Sequence, residues 1–365
     1  MKKGLDIAFF GSSLVSAFWN GAATYYRGII RALNDRGHRV TFYEPDVYDR
    51  QKNRDIEDPR WARVVVYSGK GEDGVSQALE TAKNVDVLIK TSGCGAFDEL
   101  LEAAVIDIAA QHTLKIFWDV DAPATLDRVH QNAADPFLNL IPQYDLILTY
   151  GGGEPVINAY KELGAKECMP IYNALDSKTH YRVQPESRFE ADLGLLANRL
   201  PDREERIEEF FLNVAERLPE KRFLLGGNGW NDKPMPANLN YLGHIYTKEH
   251  NPFNSTPRAI LNVNRDSMAR YGFSPPTRVF EAAGAGACLI TDEWEGIESF
   301  LEPDKEILVA KDGAEVAAQL DNLTQKKAHE IGSAALRRVL AEHTYAHRVE
   351  QLEILLNAKT KTAAL

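Results

Sequence analysis

Short apolar runs separated by segments of helical periodicity recur along the whole chain, and they do so in two series. This alternation constrains the fold more than any other feature, because strand–helix–strand repeats bury both faces of a parallel sheet. Runs over 5–10, 39–43, 64–67, 85–89, 114–118 and 146–150 read as strands of a first series. A Gly/Ser loop over 11–21 follows the first of them. The helix expected over 22–36 carries Tyr25, Ile29, Ile30 and Leu33 on one face, and Gly37 ends it. A polar stretch over 171–190 reads as an interdomain connection. Strands are then expected over 192–197, 223–225, 259–263, 288–291 and 307–310, with helices over 204–217 and 277–284 and strongly amphipathic helices from 314 onward. The expected fold is α/β with two doubly wound domains, residues 1–172 and 173–365. A length of 365 residues suits two domains of ordinary size.

Charge and cysteine usage narrow the functional classes. Acidic residues outnumber basic ones by 53 to 42, a net charge of −11. That balance argues against a duplex-DNA or anionic-membrane partner, since both require a positive surface. Cys94, Cys168 and Cys288 are odd in number and far apart, which predicts neither a disulfide framework nor a zinc site and fits a reducing, cytoplasmic setting. Asp6 interrupts the first apolar run and Gly11, Ser12 and Ser13 end it, so it reads as a buried strand and not as a signal peptide. No apolar run approaches the roughly 18 residues of a membrane span, and integral membrane association is not expected.

The segment from Ser274 to Ala287 carries the most chemistry. Pro276 suits the first turn of a helix. Val279, Phe280 and Ala283 can face the sheet, while Thr277 and Glu281 lie one turn apart on another face beside Arg278. A helix N-terminus favours phosphate, and a carboxylate further along accepts from ribose hydroxyls. A surface helix with an Arg278–Glu281 ion pair is the competing reading. Asp119 and Asp121 follow the strand over 114–118, at the sheet edge where ligands gather. They are candidates for a catalytic base, for a D-x-D metal site, or, in Asp121, for a helix cap. The loop over 11–21 is neither a G-x-G-x-x-G nor a Walker A pattern, and Asn20 could serve as a simple cap. His112, His130, His244, His250, His343 and His347 show no metal-ligand spacing and read as surface or interdomain residues.

The stretches Arg265-Asp266-Ser267-Met268 and Ser274-Pro275-Pro276-Thr277-Arg278-Val279-Phe280-Glu281-Ala282 resemble the CgeB-like family of GT-B glycosyltransferases. Trp19-Asn20-Gly21-Ala22-Ala23, Trp118-Asp119-Val120-Asp121 and Thr149-Tyr150-Gly151-Gly152-Gly153 extend the resemblance to nearly the whole chain. The resemblance implies two Rossmann-like domains facing each other across a cleft, with a nucleotide-sugar donor in the C-terminal one and an acceptor facing the N-terminal one. It further implies a last helix returning to the N-terminal domain. Residue by residue, it assigns Glu281 to the donor ribose and Arg199, with Arg203 or Arg278 as helpers, to the diphosphate. Arg265 and Thr277 belong to the same donor-side motifs. It places the backbone around Gly227, Asn228 and Gly243 against the base, and Asn20 and Gly21 at the cleft. Two positions depart from the pattern. Phe273 stands where many retaining relatives carry a second glutamate, and Ala22 stands where close relatives often carry a histidine.

The reading that follows is transfer of a glycosyl group from a nucleotide sugar to an unidentified glycan, protein or small-molecule acceptor. It uses Asp121 or Asp119 as base, no essential metal and no cofactor, the nucleotide sugar being a substrate. The alternatives are a GT-B-fold nucleotide-sugar epimerase and a non-catalytic carbohydrate- or nucleotide-sugar-binding protein.

Overall fold

The computed structural model describes residues 4–363, with side chains placed up to 357. The chain forms two compact units: the residues up to Asn173 together with the segment from Tyr345, and Ala174–Thr344.

The first unit is built on a seven-stranded parallel sheet of order β3-β2-β1-β4-β5-β6-β7. Its strands are β1 (Asp6–Phe10), β2 (Arg39–Asp46), β3 (Arg63–Ser68), β4 (Val87–Thr91), β5 (Leu114–Asp119), β6 (Leu146–Thr149) and β7 (Cys168–Pro170). Helices α1 (Ala23–Asp35), α2 (Asp73–Thr81), α3 (Asp98–Asp107), α4 (Ala122–Gln131) and α5 (Gly153–Glu162) connect them. The apolar runs of β1, β4 and β5 are buried along nearly their whole length, as expected for strands covered on both faces. Phe9 anchors an aromatic core, its ring 5.3 Å from Phe42, 5.6 Å from Tyr26 and 5.7 Å from Trp118. The Trp118 indole donates to Tyr25 Oη at 3.0 Å, and that hydroxyl donates to the Ile171 carbonyl at 2.6 Å.

The second unit carries a six-stranded parallel sheet of order β10-β9-β8-β11-β12-β13. Its strands are β8 (Leu193–Leu196), β9 (Phe223–Gly226), β10 (Leu239–Tyr241), β11 (Ala259–Asn262), β12 (Leu289–Asp292) and β13 (Leu308–Ala310). Helix α6 (Glu204–Ile207) runs through a π-helical turn (Glu208–Leu212) into α7 (Asn213–Arg217), so the continuous helix expected there is widened by one turn. Then follow α8 (His250–Ser255), α9 (Asp266–Tyr271), α10 (Thr277–Gly284), α11 (Gly313–Asn322) and α12 (Gln325–Glu342). Leu193, Phe211, Trp230, Leu261, Ile290 and Leu320 belong to one continuous core.

The terminal helix α13 (Tyr345–Ala363) packs on α1 of the first unit. Gly28 makes this approach workable, since a Cβ there would lie 2.1 Å from the Tyr345 ring. Arg348 donates to the Tyr172 and Asn173 carbonyls at 3.2 and 3.4 Å, and Glu353 pairs with Arg36 and His38. His343 was expected at the surface or between the domains. It is instead buried in the second unit, 5.8 Å from the Phe280 ring and 5.7 Å from Phe300, because the apolar side of α10 faces it. Among the described residues, no helix is long and apolar enough to cross a membrane.

Candidate functional site

Strand order reverses at β8 in the second unit, where β9 lies on one side and β11 on the other. Such a switch point opens a crevice at the carboxyl ends of the strands. Arg199 and Arg203 follow β8, Arg265 follows β11, and Arg278 sits in the first turn of α10.

Two of these guanidiniums bear on a third, Arg203. Burial pushes Arg203 down to about 10; Asp202 opposes the shift, and the like charges of Arg278 and Arg265 add to it. Arg203 Nη2 donates to the Asn198 carbonyl at 2.7 Å, and Arg265 Nε meets Asp202 Oδ2 at 2.5 Å. Arg199 pairs with Glu204 at 2.7 Å and Asp232 at 2.8 Å, so its charge is largely met within the unit. Arg265 and Arg278 are met in the same way, by Asp202 and Glu281, so all four arginines expected on the donor side stand at the strand ends of this unit.

Glu281 lies one turn along α10, only 5% exposed, with Oε2 3.1 Å from Arg278 Nη1. Burial raises its pKa, but His180, Arg278 and His250 outweigh burial and hold it below its ordinary value. The expected Arg278–Glu281 pair thus exists, but it is buried and not a surface pair. Thr277 opens α10 with Pro276 as the residue before it, so Pro276 precedes the first turn instead of occupying it. Phe273, where a second glutamate was missing, has a positive φ of 45°, and its ring takes the space beside Gly296.

Three loops close around the rest of the predicted donor residues. Gly227 has φ +130° and a Cβ there would lie 2.0 Å from the Ala197 carbonyl oxygen, so only glycine fits. Its N–H donates to the Gly243 carbonyl at 2.7 Å, while the Asn228 N–H donates to Asn198 Oδ1 at 2.9 Å and the Asn228 amide meets His244 Nδ1 at 3.1 Å. Gly243 has open space beside its Cα. Gly227, Asn228, Gly243 and Arg199 therefore share one loop cluster at the strand ends.

The largest departure from the sequence reading concerns histidine. His180, in the connection before β8, and His250, at the start of α8, converge on Glu281, the three ligand-type atoms lying within 4.8 Å of one another. Burial and the Arg278 charge push His250 down to about 3, against the pull of Glu281. These residues lie 70 and 31 positions apart, so spacing carries no trace of the cluster.

In the first unit, Asp119 and Asp121 separate in role. Asp119 is wholly buried. Its carboxylate accepts from Ser92 Oγ at 2.7 Å, Thr125 Oγ1 at 3.0 Å, Tyr160 Oη at 2.5 Å and the Asp121 N–H at 3.0 Å. Burial raises its pKa despite these donors. It is a strut of the loop and not a group that faces a substrate. Asp121 is half-buried at the N-cap position of α4, yet its side chain makes no capping hydrogen bond. Asn20 is also structural. Its amide donates to the Ser13 and Ser16 carbonyls and accepts from Ser12 Oγ, which uses both N–H donors in holding the loop and leaves one acceptor lone pair on Oδ1. Gly21 is exposed with open space beside it.

Two parallel-sheet Rossmann-like units, one bearing arginines and a buried carboxylate at its switch point, make up the GT-B fold. The glycosyl transferase-like family matches residues 203–354, the part of the chain that holds α6 through most of α13. Sucrose-phosphate synthase from Thermosynechococcus elongatus is similar in structure at TM-score 0.72 and 15% identity, covering 97% of this chain and 100% of that one. The Anabaena protein HepE in complex with UDP-glucose gives TM-score 0.69 at 13% identity, with 97% and 100% covered. An α-glucosyltransferase in complex with UDP-glucose and DNA containing an abasic site gives 0.72 at 10%, with the same coverage. No curated protein matches the chain by sequence.

Proposed function

We propose that this chain transfers a glycosyl group from a nucleoside diphosphate sugar, bound by the second unit, to an acceptor hydroxyl deprotonated by Asp121. The observation that carries the reading is the placing of Arg203 after β8, Arg265 after β11 and Arg278 at the start of α10, 3.1 Å from the buried Glu281, at the switch point of the C-terminal sheet. Departure of the nucleoside diphosphate builds negative charge on its phosphates, and preorganised cations placed there favour that state over the ground state. Glu281 accepts from the ribose hydroxyls, a charge-assisted contact. The Gly227, Asn228 and Gly243 backbone takes the base, with Thr277 at the phosphate end of α10. Asp121, half-buried at the start of α4 and just beyond the end of β5, takes the acceptor proton; Asp119 holds its loop. UDP-glucose in two of the neighbours makes UDP-sugars the first donors to try. The motif resemblance to the CgeB-like family belongs to the same reading, as does action in the reducing cytoplasm with no metal in the reaction.

A thermal-shift screen of nucleotide sugars tests the donor half. A ligand at 100 times its Kd adds about 2.7 kcal/mol of stability. Candidate acceptors added to the stabilising donor should then release free nucleoside diphosphate. Absence of any stabilising nucleotide sugar contradicts the reading.

A further inference from the structure

Glu281 presents two different faces. Oε2 lies beside the Arg278 guanidinium, while Oε1 lies 3.7 Å from His180 Nε2. Each of the two converging imidazoles is fixed on one side: His180 Nδ1 by Thr179 Oγ1 at 3.0 Å, and His250 by a hydrogen bond with the Ile245 backbone. On the other side His180 Nε2 and His250 Nδ1 are buried and have no hydrogen-bond partner among the described residues. Buried polar atoms are almost always bonded, so two orphaned ring nitrogens aimed at one carboxylate need an explanation.

A proton shared between one imidazole and Glu281 would satisfy one nitrogen and leave the other orphaned. A metal ion satisfies all three atoms at once. Outer partners such as Thr179, the Ile245 backbone and Arg278 are what fix the tautomer and orientation of metal ligands. Two imidazole nitrogens and one carboxylate oxygen suit zinc, cobalt, nickel or ferrous iron better than magnesium or calcium, which prefer all-oxygen shells.

We infer that His180 Nε2, His250 Nδ1 and Glu281 Oε1 form a binding site for a divalent transition ion of the zinc type, with three protein ligands and an open position. The ion is not part of the transfer reaction. It draws Glu281 away from the ribose, so zinc lowers turnover. This last consequence rests on the donor reading, whereas ion binding does not.

The test uses the chelator-stripped full chain without nucleotide. Cobalt is titrated in and followed by its visible ligand-field absorption, with zinc displacement read by calorimetry. The expected result is saturable 1:1 binding. His180→Ala and His250→Ala should each weaken it at least as much as loss of an outer-shell partner does, about 10- to 100-fold. Because either variant can fail to fold, ring-labelled histidine NMR of the unaltered chain is the second readout. There zinc should shift the His180 and His250 resonances first. Binding that is absent, that is indifferent to both variants when folded, or that shifts other histidines first overturns the site. Cobalt binding with no loss of UDP-sugar turnover under zinc overturns only the sharing of Glu281.

Discussion

Asp119 and Asp121 stand two residues apart, and the fold gives one to the interior and the other to the end of a helix. The sequence marked both, because a D-x-D at the end of an apolar strand is legible. Their division was not, since Ser92, Thr125 and Tyr160 reach Asp119 from three other parts of the chain. Two outcomes follow. Asp121→Asn should lower kcat by about 10²-fold or more while donor affinity and melting temperature stay near the unaltered values, as a base that cannot take a proton requires. Asp119→Asn should instead destabilise by about 1–3 kcal/mol, because its new NH₂ faces donors that need an acceptor. Steady-state kinetics and melting curves on the same preparations separate the two roles. Glu281 was legible through its motif; its partners His180 and His250 were not, because they come from a connection and a short helix far away in sequence.

Most elements were readable from periodicity, and those missed were short. β7 and β10 are three-residue edge strands, too brief to show alternation. Interior charge was also invisible. Lys90 points into the first unit with no exposure and donates to Asp98 at 2.7 Å and to the Thr91 carbonyl at 2.6 Å, tying β4 to the start of α3. Lys90→Ala should cost about 3–5 kcal/mol in denaturant unfolding, since it leaves a charge without its partner. Burial raises Asp98, but Lys90 and the Gly95 and Cys94 amides outweigh it, leaving its pKa below the ordinary 3.8. Its contribution is therefore full above pH 3.8 and is lost as pH falls below that value. The stability gap between the unaltered chain and Asp98→Asn should shrink in that range; a gap that persists unchanged would mean the carboxylate charge is not what matters. Packing of α13 on α1 is equally specific. Gly28→Ala should destabilise by about 1–3 kcal/mol through overpacking against Tyr345.

At the scale of the whole chain, two series of strands and helices announced two Rossmann-like units, and the structure contains both. The motif resemblance pointed to the second unit for the donor; that its arginines stand at a switch point needs the sheet order and cannot be read from spacing. If those cations replace a metal in stabilising the leaving diphosphate, turnover should survive exhaustive EDTA; loss restored by magnesium or manganese would contradict that. The central claim is tested most directly by calorimetric titration of nucleoside diphosphates, UDP first and then GDP, ADP and dTDP, into the unaltered chain, Glu281→Ala and Asp121→Asn. The account predicts saturable 1:1 binding of one of them. Removing Glu281 should weaken it by about 1.5–3 kcal/mol, roughly 10- to 150-fold, the worth of a hydrogen bond to a charged group. Asp121→Asn should leave it unchanged. No binding by any of the four, or equal affinity in a well-folded Glu281→Ala, would contradict the account.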